Sequence, residues 1–161
     1  MEYEEGFIMD KFMKRAVELA VENVQNGGQP FGAVLVKDDT IIAEGVNELH
    51  QKHDVSGHAE LLSIRRAQEQ LQTGDLSGFT MYASGEPCPM CFAAMHFAGI
   101  QDVYYCLSVE DAGEVGLTKS KAIYEDLKKE RSARTLLMKH MPLGESDTNP
   151  MKLWKERNKN S

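Results

Sequence analysis

The stretch FTMYASGEPCPMCFAAMHFA, residues 79–98, decides the fold. Phe79 to Ala83 is a short β-favouring run, Ser84-Gly85-Glu86-Pro87 is turn chemistry, and from about Cys88 to Ala98 the residues suit a helix. Pro89 fits a first helical turn, where its missing N–H costs nothing. A strand that passes through a tight turn into a helix is the repeating unit of an α/β protein. Reading outward, Asp102 to Leu107 predicts the next strand. Before the quoted stretch, His58 to Leu71 keeps Leu61, Leu62, Ile64, Ala67 and Leu71 on one helical stripe. Phe31 to Val36 and Thr40 to Val46 predict a hairpin around Lys37-Asp38-Asp39. Phe7 to Val24 predicts a first amphipathic helix through Phe12, Ala16, Leu19, Ala20 and Val24, ended by Asn26-Gly27-Gly28. Ser120 to Glu130 predicts a fourth helix, Arg134 to Met138 a last strand, and the residues around Trp154 a short tail helix. The expectation is a three-layer α/β/α architecture with a mixed five-stranded sheet.

At 161 residues the chain has the length of one domain able to bury a core without disulfides. It reads as a single domain over residues 1–161, with 139–161 a C-terminal tail expected to cover the active site. No apolar run approaches the length of a membrane helix, and the acidic start Met1-Glu2-Tyr3-Glu4-Glu5 is unlike a basic leader, so a cytoplasmic protein without membrane contact is expected. Three cysteines, two in a C-x-x-C pair, suit a reducing compartment. The formal charge of −7 removes the global attraction for phosphate backbones on which nucleic-acid binders rely. A small substrate is expected, and no nucleic acid.

Two short elements carry chemistry. His58-Ala59-Glu60 opens the second predicted helix, and Pro87-Cys88-Pro89-Met90-Cys91 opens the third. Cysteines three residues apart on one helical turn present both sulfurs to one ion. With His58 they make three ligands, the number found in catalytic zinc sites, which leave a fourth position for water. Unpaired N–H groups at the helix start favour thiolate over thiol, and a bound Zn²⁺ acidifies water towards a pKa of about 7. Glu60, two residues beyond a ligand, is placed to shuttle protons to and from that water. A C-x-x-C alone is equally a redox or structural element, and a lone H-x-E is noise. The ordered set H-x-E and P-C-x-x-C, thirty residues apart, is the signature of zinc deaminases acting on nucleobases.

The chain resembles the cytidine and deoxycytidylate deaminase superfamily, and within it the guanine deaminase and tRNA adenosine deaminase branch. The likeness runs from about Lys11 to Ser108, through Pro30-Phe31-Gly32-Ala33-Val34, Gly45-Val46-Asn47, His53-Asp54 and the two elements above. The resemblance implies that His58, Cys88 and Cys91 hold Zn²⁺, that Glu60 is the proton shuttle, and that Asn47, Phe31, Ala59 and Ser84 contact the substrate. It also implies a cytidine deaminase-like fold and a homodimer. His53 is placed near the pocket mouth or in solvent, His96 on a helix away from the metal, and Cys106 in the core. Guanine deaminases carry an acidic residue after the last shared strand, and Gly116-Leu117-Thr118-Lys119 has none.

The expected activity is hydrolytic deamination of a free aminated nucleobase or related heterocycle, guanine to xanthine and ammonia first. The alternatives are a tRNA adenosine-to-inosine deaminase and a cytosine-type deaminase. A structural zinc domain closed by Cys106 or His96 leaves Glu60 without a purpose.

Overall fold

The computed structural model describes residues 9–159, so the acidic start and Phe7 lie outside the described residues. Asp38 and Asp39 both adopt left-handed backbone, with φ of 49° and 60°. Two such residues in succession turn the chain with the twist that adjacent strands require, and Asp is among the few side chains that accept it. The hairpin therefore closes with β1, Gly32–Lys37, antiparallel to β2, Thr40–Val46. On its other side β1 pairs antiparallel with β3, Thr80–Gly85, which pairs parallel with β4, Asp102–Leu107. The order is β2-β1-β3-β4, a mixed sheet as expected.

Alternation along β1 builds both layers. Val34 and Val36 meet Phe12 and, at the margin, Leu19 from helix α1, Lys11–Gln25, whose first turn is capped by the Asp10 carboxylate. Ala33 and Leu35 face the opposite way, into a core with Ala59, Ile64 and Ala67 of α2, Ala59–Leu71, and Cys91 and Met95 of α3, Pro89–Ala98. The α2 layer lies close because Gly45 has no side chain. A Cβ there would stand 2.2 Å from the Ala59 carbonyl oxygen. This contact pins the start of α2, and with it His58 and Glu60, against β2.

Four strands form among the described residues, and the predicted fifth does not. Arg134 to Met138 follows a 3₁₀ turn, Arg131–Ala133, and its backbone is engaged locally. The Asp126 carboxylate accepts the Thr135 N–H and hydroxyl, and the Arg134 guanidinium donates to the Leu127 carbonyl. An apolar run becomes a strand only where a ladder partner is offered, and these bonds hold this one to the end of the preceding helix. β4 is consequently an edge, which overturns the placement of Cys106 in the core: its thiol is exposed.

A helix absent from the expectations, α4 at Val109–Glu114, follows β4 directly. Ser108 and Asp111 cap it reciprocally, side chain to backbone N–H in both directions. Helix α5, Lys119–Leu127, matches the predicted fourth helix with a shorter end. The chain divides into two compact units, one through Glu125 and one from Asp126. The second contains the 3₁₀ turn and α6, Pro150–Arg157, capped by the Asn149 side chain. Among the described residues no helix is long and apolar enough to cross a membrane.

Candidate active site

The three predicted ligands meet. His58 is the N-cap of α2 and Cys88 the N-cap of α3, both in extended backbone, while Cys91 lies in the first turn of α3. The His58 Nδ1 atom is 3.5 Å from the Cys88 sulfur and 3.7 Å from the Cys91 sulfur. A tetrahedron with zinc–sulfur and zinc–nitrogen bonds of ordinary length has an N···S edge of about 3.6 Å. The donor set thus fits Zn²⁺ in both spacing and chemistry. It is the one such group of three among the described residues. His96 is exposed, edge-on to the Phe92 ring, and Cys106 is exposed on β4, so neither belongs to the cluster.

Protons are shared within this set. The hydrogen bond with Cys91 holds the Cys88 thiol down to about 4, while that bond and burial push Cys91 far up. His58 is raised chiefly by its hydrogen bond with Cys88. A divalent cation replaces those shared protons, and two thiolates with a neutral imidazole balance its charge.

Glu60 is 6% exposed in the first turn of α2, with its carboxyl facing the Cys91 thiol. Burial, then the Cys88 charge, raises its pKa to about 7. A carboxyl poised near neutrality can take up and release a proton, which is the requirement for a general acid and base at that pH. Its position is fixed: Ala59 is fully buried beside it, and the Ser63 hydroxyl donates to the Glu60 carbonyl at 2.8 Å.

The other predicted contacts occupy different settings. Asn47 follows β2 and is 1% exposed. Its N–H donates to the Phe31 carbonyl at 3.2 Å, and the next residue, Glu48, donates to the Gly57 carbonyl beside His58. The half-buried Phe31 ring lies over Gly85, where a Cβ would stand 2.8 Å from it. The space beside the metal turn is thus filled by Phe31. The Ser84 hydroxyl accepts the Gly32 N–H at 3.0 Å, tying β3 to the Phe31 segment. Ala59 is packed in the core, so it has only backbone to offer a ligand. His53 is exposed in the loop before α2.

Sequence reasoning missed the groups that hold this site. Tyr124 of α5 donates its hydroxyl to the Pro87 carbonyl at 2.5 Å, and the Glu86 carboxylate accepts the Val109 N–H at 3.2 Å, so the turn before Cys88 is fastened from two sides. Asn23 on α1, 5% exposed, donates to the backbone carbonyls of Gln29 and Asn47 at 2.8 and 2.9 Å. The available signal was a polar residue at an inward position of α1, between Ala20 and the end of the helix.

Comparison with known proteins agrees with this geometry. The chain is 41% identical to the guanine deaminase of Bacillus subtilis over 147 residues, 91% of this chain and 93% of that protein. A crystal structure of Bacillus subtilis guanine deaminase, 40% identical, superposes with a TM-score of 0.83 over 92% of this chain and 95% of that one. The tRNA-specific adenosine deaminase of Agrobacterium fabrum is 42% identical over 93 residues, 55% of this chain and 61% of that protein. Residues 8–107, which span all four strands and every candidate ligand, match the cytidine and deoxycytidylate deaminase zinc-binding region, and the chain belongs to that family.

Proposed function

We propose that this chain catalyses zinc-dependent hydrolytic deamination of a free aminated nucleobase, with guanine, giving xanthine and ammonia, first among the substrates. The observation that carries this reading is the buried Glu60 carboxyl beside a three-ligand set, supported by likeness to a guanine deaminase along 91% of the chain. Held by His58, Cys88 and Cys91, zinc would supply an acidified water as the nucleophile for the reacting carbon. Glu60 accepts the proton that water loses, delivers it to the ring nitrogen, and passes a second to the exocyclic nitrogen as it leaves as ammonia. Asn47 reads the ring edge, and Phe31 closes the wall over Gly85.

Deamination of tRNA adenosine uses the same centre, and the relative of that name aligns over 55% of the chain. The net charge of −7 favours the smaller, uncharged substrate. An ammonia-release screen over guanine, cytosine, adenine and their nucleosides tests the assignment. At least one free base is expected to react, with KM nearly constant between about 50 and 200 mM salt, an interval over which phosphate-driven binding collapses. Inosine formation in tRNA, faster than any free-base turnover and weakened by salt, would reverse it.

We also propose a homodimer. The edge strand β4 exposes Val103, Tyr105 and Leu107, and the first two line one depression of about 810 Å³ with Phe92, Met95 and His96 of α3. An open edge with aromatic flanks is what a second copy covers. Sedimentation equilibrium should give twice the 18.0 kDa chain mass. A monomer mass at micromolar concentration refutes the dimer and leaves the chemistry standing.

A further inference from the structure

We propose that Gln29 is a positioning residue: with the Leu49 N–H at the other end it holds the Asn47 amide at both ends, and so fixes the pattern of donors and acceptors that the pocket presents to a bound ring. This rests on the reading above that Asn47 meets the ring edge.

The assignment follows from what each group can do. A backbone N–H can only donate, so the Leu49 N–H, 3.0 Å from the Asn47 side chain, must meet its Oδ1. The Asn47 Nδ2 is then directed to the other side, where it lies 3.3 Å from the Gln29 amide. Facing a donor, Gln29 must present Oε1. One main-chain N–H thus orders two side-chain amides in series, and neither can flip without setting like groups against each other.

The backbone around the pair is held independently. Asn23 donates to the Gln29 and Asn47 carbonyls, and the Phe31 carbonyl accepts the Asn47 N–H while the Gln29 carbonyl accepts that of Phe31. Changing the Gln29 side chain leaves all four bonds in place. It removes the acceptor for an Asn47 amide that is 1% exposed and has no room to recover the bond from bulk water. By the amide inventory, the locked Asn47 retains one N–H and one oxygen lone pair for a ligand. Released from Gln29, the amide is held only at Oδ1 by the Leu49 N–H, its Nδ2 end swings and carries a second unpaired N–H, and its discrimination between an oxo and an amino substituent on the ring weakens.

The experiment uses the zinc-loaded full chain, with Gln29→Leu to remove the acceptor and Gln29→Glu to keep one. Guanine and 2,6-diaminopurine, which differ by oxo against amino on one ring carbon, are the probes. In Gln29→Leu, kcat/KM for the better substrate is expected to fall about tenfold, mainly through KM, and the ratio between the two substrates to shrink. Gln29→Glu should hold that ratio within about twofold. The Asn47 side-chain amide resonances should move or broaden in Gln29→Leu and persist in Gln29→Glu. A wild-type ratio with unmoved resonances in Gln29→Leu overturns the proposal, as do equal losses of ratio and melting temperature in both variants, which mark a merely structural role. If the wild type deaminates no free base, the proposed function fails. The amide spectra then decide the Gln29 lock alone: movement in Gln29→Leu supports it and an unchanged spectrum overturns it.

Discussion

Glu60→Gln is expected to lower kcat by at least about 10³-fold on any base the wild type deaminates, while zinc content and melting temperature stay near those of the wild type. The large kinetic effect follows from the number of proton transfers assigned to one carboxyl. Each needs a group that can hold and release a proton near neutrality, and burial pushes the Glu60 carboxyl up towards that range. Glutamine keeps the shape and loses the titration. The small structural effect follows from the same burial. A group 6% exposed that resists ionisation contributes little stability through its charge, and a neutral isostere in its place adds none of the cost of an unpaired buried ion. Elemental analysis, a melting curve and single-turnover ammonia release check the three parts separately. Turnover within tenfold of wild type would remove Glu60 from the proton path.

The motif and the hairpin were legible because each rests on local chemistry. Two consecutive Asp residues between β-favouring runs announce a tight turn, and the helix starts at residues 58 and 88 are written in His-x-Glu and in Pro after Cys88. Long-range partners were not. Arg134 to Met138 has strand composition, yet its first two backbone N–H groups go to the Arg131 carbonyl and the Asp126 carboxylate, and composition cannot record such partners. Cys106 was placed in the core as a thiol in a strand-like run, and strand character alone does not say that the strand lies at an exposed edge. Helix α4 was hidden by its length of six residues, although Ser108 and Asp111 carried its capping signal. The clamp of Asn23, Gln29 and Asn47 joins residues up to 24 apart through side-chain amides. Its members look like ordinary turn and helix residues until the fold brings them together.

Loss of any one ligand should release zinc and weaken the fold, and the three variants should differ in a way set by burial. A metal that binds only the folded chain adds its binding free energy to stability, so His58→Ala, Cys88→Ala and Cys91→Ala each forfeit most of it. Cys91 is fully buried in the core beside Met95 and Ala98, and its replacement by Ala also leaves a void. Cys88 is half-buried at the helix N-cap, where Ala removes a ligand with less packing. Melting temperature should therefore fall furthest for Cys91→Ala, and all three should approach the chelator-treated wild type from below or level with it. Cys106→Ser, on the exposed edge strand, should retain one zinc per chain and its full melting temperature. Zinc loss from Cys106→Ser would instead make the centre a closed, four-ligand structural site. Glu60 would then face no water, and the deaminase reading would fall with it.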